Sequence, residues 1–361
     1  MVKASNSPLE FHEGLGYAIR KGGWSDQQTS TYTLVEQAIA EDRFSDAEEL
    51  GRYTVREALE AHELYRDWLA QTRQFLIDKG VSPDDVAVEQ DRIAGILKLP
   101  DGSPFDADRG WQDYQDLIEQ FAGACASGDG GAALLLLEQA RKTWRLTHDR
   151  KHDWLCFLIT FAAARLGEAE VGPLWDVLLA PSYDLYQRYD VEKNPWRQSA
   201  ELLIQIMAEA LRGHLSGPGR RGDIEFIDEG HRVGFRFAPC GSGGRTYQAD
   251  PDDGVGPRME APYHFGVTRE KHDWAWNKTG ICYYCAHCCA AMELEPMRMF
   301  GYPARVVDPP TWPDARTGAH CTWWVYKDPA DVPGEVYQRV GRKKPEHIGG
   351  SAMRAAKKDT A

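Results

Sequence analysis

Four of the eight cysteines of this chain fall within eight residues, in the segment Cys282-Tyr-Tyr-Cys285-Ala-His287-Cys288-Cys289. Thiolates and imidazoles at such short spacings are the ligands that Zn²⁺ prefers in proteins. Cys240, in a glycine-rich turn, and Cys321, directly after a histidine, can contribute further ligands from a distance. This concentration of sulfur predicts that the last third of the chain folds around a metal ion or a reactive thiol.

The composition narrows the classes of protein to which the chain can belong. Its 361 residues suffice for about two domains of ordinary size. Acidic residues outnumber basic ones, 55 to 42, and the net charge of −13 argues against a nucleic-acid partner, because binding to phosphates needs a basic surface. No stretch approaches the roughly 20 apolar residues of a membrane span, and the first residues do not resemble a signal peptide. We therefore expect a cytoplasmic protein without a membrane partner, in which clustered cysteines stay reduced.

The first part of the chain has the pattern of a helical bundle. Apolar residues recur at helical spacing from about residue 28 to 215, and glycines and prolines separate the segments. The pattern predicts helices at about 108–126, 131–148, 152–167, 170–190 and 196–214. We expect an all-α domain over 1–215, which can serve as a lid, a partner platform or the interface of a homo-oligomer.

The second part predicts a small α+β domain. The segment 224–237 has the alternation of a hairpin, a helix is expected from about 281 to 300, and strands are expected at 304–307 and 321–326. This order is β-β-α-β-β, with a cysteine-rich helix in the middle. We place the domain at 223–340 and expect a flexible basic tail over 341–361.

Several motifs of this second part carry a family resemblance. They are the cysteine-rich helix, Phe300-Gly301-Tyr302, Arg305-Val-Val-Asp308 and Gly318-Ala-His-Cys321-Thr-Trp-Trp. Over about 224–328 the chain resembles the C-terminal half of 4-vinyl reductase (hydrocarbon-binding) domains. It resembles the L-2-amino-thiazoline-4-carboxylic acid hydrolase family equally. Both resemblances imply a small organic ligand bound beside a metal or reactive cysteines.

The spacing of the cysteines suggests a set of metal ligands. Cys285 and Cys288 are three residues apart and can chelate one ion, with Cys240 as a third ligand and His272 as the fourth ligand or a nearby acid–base group. Further ligands are open among His264, His287, Cys282, Cys289 and Cys321. Zinc is the expected metal. An iron–sulfur cluster is less expected, because a histidine lies among tightly adjacent cysteines.

Residues around the cysteines predict a substrate pocket. Arg245 follows the glycine-rich turn and is a candidate clamp for a carboxylate, while His264 and His272 are candidates for proton transfer. The expected aromatic walls are Trp274, Trp276, Tyr283 and Tyr284. His148 and His152, one helical turn apart, form a second and weaker candidate for a metal site.

These features together predict a zinc-dependent hydrolase or lyase for a small, anionic organic substrate. Two alternatives are open from the sequence. One is a non-catalytic small-molecule-binding or sensor protein with a structural zinc. The other is a metal-free enzyme in which Cys285 or Cys288 is the nucleophile and His287 the base.

Overall fold

A computed structural model describes residues 7–13, 15–183, 196–236, 238–250 and 254–348. The protein is mostly helical, with helices in the N-terminal part and a small antiparallel sheet in the C-terminal part. The predicted α+β class is confirmed at this level. No helix in the described ranges is long and apolar enough to cross a lipid bilayer. Most of the predicted tail, from residue 349 onward, lies outside the described residues.

The described N-terminal part consists mainly of long helices. They are α1 (Thr31–Ala40), α2 (Phe44–Asp78), α3 (Pro83–Ile96), α4 (Ala107–Ala126), α5 (Gly130–Leu166), α6 (Val171–Tyr183) and α7 (Trp196–Gly213). Capping side chains fix where several of them begin: Ser30 accepts a hydrogen bond from the backbone of Thr33, and Ser82 accepts one from Asp85. The apolar faces of α2, α4 and α5 pack against one another.

The sequence predicts a helix boundary near Asp149, and the structure corrects it. α5 runs without a break from Gly130 to Leu166. Neither glycine nor proline interrupts it after its first turn, and its polar residues at 148–153 are buried against partners from other segments. Tertiary hydrogen bonds therefore allow polar side chains in the middle of a buried helix.

A short hairpin precedes the helices and departs from the predicted all-α domain. Strands β1 (Leu9–His12) and β2 (Tyr17–Arg20) pair antiparallel, with Leu9 opposite Arg20. Each strand has four residues, which is too short for its alternation to be recognised in the sequence. The hydroxyl of Tyr17 donates a hydrogen bond to the carboxylate of Glu209 at 3.0 Å and thereby fastens the hairpin to α7.

The described sheet has the strand order β3-β4-β6-β5, and every neighbouring pair is antiparallel. The strands are β3 (Glu225–Asp228), β4 (Arg232–Arg236), β5 (Val306–Asp308) and β6 (Thr322–Tyr326). Between β4 and β5 lie α8 (Ala286–Cys289), a π-helical turn (Ala290–Leu294) and α9 (Glu295–Phe300), which we call together the cysteine helix. It begins at Ala286 and not near residue 281, so Cys282 and Cys285 precede it. A last helix, α10, spans Gly334–Gln338.

Short 3₁₀ turns connect these elements. They lie at Trp24–Gln28, Glu168–Glu170, Pro218–Arg220, Gly243–Tyr247, Asp273–Ala275, Asp314–Thr317 and Pro329–Asp331.

One apolar core joins the two parts of the chain. The indole ring of Trp68 on α2 meets that of Trp175 on α6 edge-on at 5.1 Å. The indole nitrogen of Trp175 donates to the backbone carbonyl of Tyr283 at 2.8 Å, and the hydroxyls of Tyr65 and Tyr284 lie 3.1 Å apart. Buried residues therefore continue across the predicted domain boundary at 215, and the main cavity lies where the two parts meet.

Candidate functional site

A cavity of about 640 Å³ lies between the helical part and the cysteine helix. Four cysteines line it: Cys240, Cys285, Cys288 and Cys321. Aromatic and apolar side chains form most of the remaining wall, among them Trp68, Met207, Leu211, Trp276, Tyr284, Met292 and Trp323. A concave apolar site with a few convergent polar groups is the usual form of a ligand-binding pocket.

The glycine-rich turn after Cys240 allows two cysteine segments to approach each other. A Cβ atom on Gly243 would lie 2.5 Å from the sulfur of Cys285, and one on Gly244 would lie 2.7 Å from the Cβ of Cys240. A side chain at Gly243 would therefore separate the turn from Cys285, and one at Gly244 would crowd Cys240 within the turn. The glycines fix how closely the cysteines can gather.

The four thiols stand in a buried environment. Burial raises the pKa of Cys288 and of Cys321, and the neighbouring thiol of Cys240 raises both further. A hydrogen bond with Cys282 raises the pKa of Cys285, and burial adds to this effect. The raised pKa values keep the thiols of Cys285, Cys288 and Cys321 protonated at neutral pH, and a metal ion that binds them has to displace their protons.

His287 is oriented by the backbone and faces a cysteine. Its Nδ1 donates to the carbonyl of Tyr284 at 2.6 Å, so its Nε2 carries the lone pair. That Nε2 lies 3.4 Å from the sulfur of Cys288. Burial lowers the pKa of His287 to about 4, which keeps the imidazole neutral. A neutral imidazole beside a thiol can accept a hydrogen bond from it.

A second histidine reaches the cavity at the end of a buried hydrogen-bonded chain. Asp149 lies 2.8 Å from Nδ1 of His148, and Nε2 of His148 lies 2.8 Å from Nδ1 of His214. His214 borders the cavity, and its Nε2 makes no hydrogen bond to a described residue. Three titratable groups thus connect the core to the cavity wall.

Arg305 is the deepest cation of the cavity wall. Its side chain is only 5% exposed, and its guanidinium lies 5.5 Å from the ring of Trp323. One Nη atom points at the sulfur of Met207, and Nε has no hydrogen-bond partner. Within the described ranges no carboxylate makes an ion pair with it.

The structure does not bring His272 to the cysteines. Its Nε2 lies 2.9 Å from the carboxylate of Glu168, and its ring stacks on Trp274 at 4.4 Å. The same carboxylate accepts the hydroxyl of Tyr283 at 2.9 Å. His272, Trp274 and Tyr283 form a cluster around Glu168, and none of them lines the cavity.

Arg245 and His264 also lie away from the cavity wall. Arg245 is 4% exposed and is ion-paired with Asp149 and Asp153 of α5. His264 is exposed on a loop, with its backbone in the left-handed region at a φ of 52°. The carboxylate clamp and proton-transfer roles predicted for these residues have no support in their positions.

The other predicted residues divide between the cavity and the core. Trp276 and Tyr284, two of the four predicted aromatic wall residues, line the cavity. Cys289 donates to the backbone of Asp273 at 3.3 Å, and Cys282 lies beside Cys156; neither lines the cavity.

The histidines of α5 are engaged in hydrogen bonds within the core. His152 lies 3.2 Å from the carboxylate of Asp153 and 3.6 Å from the sulfur of Cys156. His148 is held between Asp149 and His214, as described above. The two rings therefore point to different partners.

Sequence reasoning missed Arg305 and His214 as residues of the site. A buried arginine in a strand-like segment and a histidine at the end of a helix carry no motif by themselves. Across the described residues, no three His, Cys, Asp or Glu side chains converge closely enough to hold a single metal ion.

Comparisons with known proteins do not assign the chain to a family. No protein-family model matches it, and no curated protein and no solved structure is significantly similar to it. The resemblance to 4-vinyl reductase domains and to the thiazoline carboxylic acid hydrolase family stays a prediction. The function therefore has to be argued from the cavity.

Proposed function

We propose that this protein is a metal-dependent enzyme whose metal centre is held by Cys240, Cys285, Cys288 and Cys321. The observation that carries the proposal is that four thiols from three separate segments line one cavity. Thiols at positions so far apart in the chain seldom meet by chance, and thiolates are strong ligands for zinc and for iron–sulfur clusters.

This ligand set revises the one that the sequence suggests. Cys321, at the start of β6, takes the place proposed for His272, which is engaged with Glu168. We further propose that the sheet and the cysteine helix form the scaffold of the centre, because Cys288 lies on the helix, Cys285 directly precedes the helix and Cys321 directly precedes β6.

The lack of a converged set of ligands among the described residues favours a [4Fe–4S] cluster over a single ion. Zinc needs its four ligands at about 2.3 Å from one point, and the described side chains do not converge in this way. A [4Fe–4S] cluster takes four cysteines around a larger cubic core. Zinc, the metal expected from the sequence, is the alternative that the experiment below distinguishes.

The ligand count also bears on the reaction. Hydrolysis at zinc uses three protein ligands and an open position for water, whereas four thiols leave no such position. A cluster bound by four cysteines supplies electron transfer from an external one-electron donor. His214 and His287 lie at the cavity wall, and the Nε2 lone pair of His287 can accept a hydrogen bond. A reductase that acts on a small organic substrate is therefore the function that the site supports best.

Elemental analysis of anaerobically purified protein tests this proposal. We expect about four iron atoms and four acid-labile sulfides per chain in the wild type. Serine substitution of Cys240, Cys285, Cys288 or Cys321 should remove most of the metal. Cys289→Ser is the matched control, because Cys289 lies on the same helix as Cys288 but does not line the cavity. His272→Ala should also retain metal.

Each result has a definite meaning. About one zinc per chain, lost in the same four variants, would support the site and replace the cluster by zinc. A reduced, freshly purified wild type without metal would overturn the proposal. Equal metal loss from Cys289→Ser would show that folding, and not ligation, explains the four variants.

A thiol enzyme is the second candidate, and the pair formed by Cys288 and His287 favours it. The sulfur of Cys288 and Nε2 of His287 lie 3.4 Å apart, within reach of a hydrogen bond that would orient the thiol. Iodoacetamide should then modify Cys288 in wild type faster than in His287→Ala, in a protein that contains no metal. Metal-loaded protein that resists iodoacetamide would instead support ligation of Cys288.

A further inference from the structure

Arg305 places a buried positive charge beside the cavity, and among the described residues only the sulfur of Met207 accepts a hydrogen bond from it. The side chain is 5% exposed, so water cannot replace the missing partners freely. Of its N–H groups, Nε has no acceptor, and an Nη atom faces only the sulfur of Met207, which is a weak acceptor. A guanidinium in this position costs stability unless an acceptor occupies the cavity next to it.

The proposed metal centre does not supply that acceptor by itself. Thiolates spread their charge over large sulfur atoms and over the metal, and they accept hydrogen bonds weakly. The planar guanidinium offers parallel N–H donors, which a carboxylate accepts in pairs. The cavity, at about 640 Å³, has room for an organic molecule beside a cluster.

We infer that Arg305 binds the carboxylate of a small organic substrate. The role of Arg305 in the reaction rests on the proposed function. Binding of the carboxylate by Arg305 does not require the metal. Arg305 thus takes the role of carboxylate clamp that the sequence suggests for Arg245. The carboxylate of the substrate would lie in the cavity that Arg305 lines.

The surroundings of Arg305 define the rest of the substrate. Trp323 lies against the guanidinium, and Trp68 and Met207 continue an apolar wall. The acids that border the cavity, among them Glu63 and Asp67 on α2, are exposed and oppose a second negative charge. The site therefore suits a monocarboxylate with an aromatic or aliphatic body, and it disfavours polyphosphates.

Calorimetric titration with matched probes tests the inference. The probes are phenylacetate and indole-3-acetate, each compared with its neutral primary amide, on metal-loaded full-length protein. We expect the carboxylates to bind at least about tenfold more tightly than the amides, because a charged, paired hydrogen bond is lost in the amide. Arg305→Met should remove this preference, and Arg305→Lys should keep part of it.

Arg232→Met is the matched control. Arg232 also lies over tryptophan, with its guanidinium 3.8 Å from the ring of Trp324, but it is ion-paired with Glu229 outside the cavity. This variant should bind the carboxylates as the wild type does. If Arg305→Met does not fold, Arg305→Lys and the comparison of acid with amide still decide the question.

Metal content is measured on the same samples, so that the two proposals can fail separately. Metal-loaded protein that binds neither carboxylate, or that binds acids and amides equally, would overturn the inference and leave the metal centre intact. Arg305 would then serve only to offset the charge of the centre. Carboxylate binding by a protein without metal would uphold the inference and overturn the proposed function.

Discussion

The guanidinium of Arg245 is ion-paired with the carboxylate of Asp153, and both side chains are buried. Asp149, one turn earlier on α5, binds the same guanidinium at 3.2 Å, and Asp149 is also paired with Arg220 at 2.8 Å. The carboxylate of Asp153 lies 3.6 Å from Arg258 as well. These ions join α5 to the glycine-rich turn and make Arg245 a structural residue.

Substitution of Arg245 by Met should strongly destabilise the fold. It would leave the buried carboxylates of Asp149 and Asp153 without one of their cations, and the loss of one partner from a buried pair costs about 3–5 kcal/mol. Chemical unfolding in urea would measure the change. Arg316→Met is the control, since the exposed pair of Arg316 with Glu260 should contribute less than about 1 kcal/mol. Equal effects of the two substitutions would contradict this role of Arg245.

Gly243→Ala should reduce the metal content of the protein. The added Cβ would meet the sulfur of Cys285 at 2.5 Å, so either the turn or the thiol has to move. Gly256→Ala is the matched control, because no atom lies within 4 Å of its added Cβ. Iron and zinc analysis of both variants would test this expectation. Normal metal content in Gly243→Ala would argue against Cys285 as a ligand.

His148 should make the stability of the fold depend on pH. Burial lowers its pKa from 6.5 to about 4, so between these pH values the unfolded chain binds a proton that the folded chain does not. The unfolding free energy should therefore be highest above pH 6.5. It should fall toward pH 4 by up to about 1.4 kcal/mol per pH unit for this one group.

Urea unfolding at several pH values, at constant metal loading, would measure this slope. His148→Gln should make the slope shallower, because glutamine does not titrate. His231→Gln, in the exposed turn between β3 and β4, is the matched control for the loss of a histidine. If the slope of His148→Gln equals that of the wild type, the titration of His148 does not contribute to it.

Loss of the Glu293 carboxylate should destabilise the fold around the cavity wall. The side chain of Glu293 is fully buried. It accepts hydrogen bonds from the indole nitrogen of Trp276 at 2.9 Å and from the backbone of Val307 at 2.8 Å, and it is ion-paired with Arg339. Glu293→Gln should lower the free energy of unfolding by about 3–5 kcal/mol, because Arg339 then loses its buried charge partner.

Thermal unfolding and tryptophan fluorescence would test the effect of Glu293→Gln. Glu295→Gln is a suitable control, since Glu295 pairs only with the exposed Arg298 on its own helix. We expect a clear loss of stability in the first variant and little change in the second. A stable Glu293→Gln protein would show that this buried ion pair is dispensable.

Local pattern was sufficient for the coarse fold. Helical periodicity and capping residues predicted a helical N-terminal part, and alternation in 224–237 predicted a hairpin where β3 and β4 lie. The same reasoning failed for β1 and β2, which are too short to show a period, and for the continuity of α5. In α5, polar residues that looked like a helix boundary are buried, because Arg245, Arg220 and His214 satisfy them.

The sequence by itself determined that the chain carries many thiols near one another, a large apolar core and a mostly helical first part. Only the tertiary structure decided that Cys321 joins Cys240, Cys285 and Cys288 at one cavity, while Cys282 and Cys289 do not. It also decided which arginine is free for a ligand. The physical reason is that a side chain's role depends on its partners in space. Asp149 and Asp153 neutralise Arg245 across about 90 residues of sequence, whereas no described carboxylate reaches Arg305.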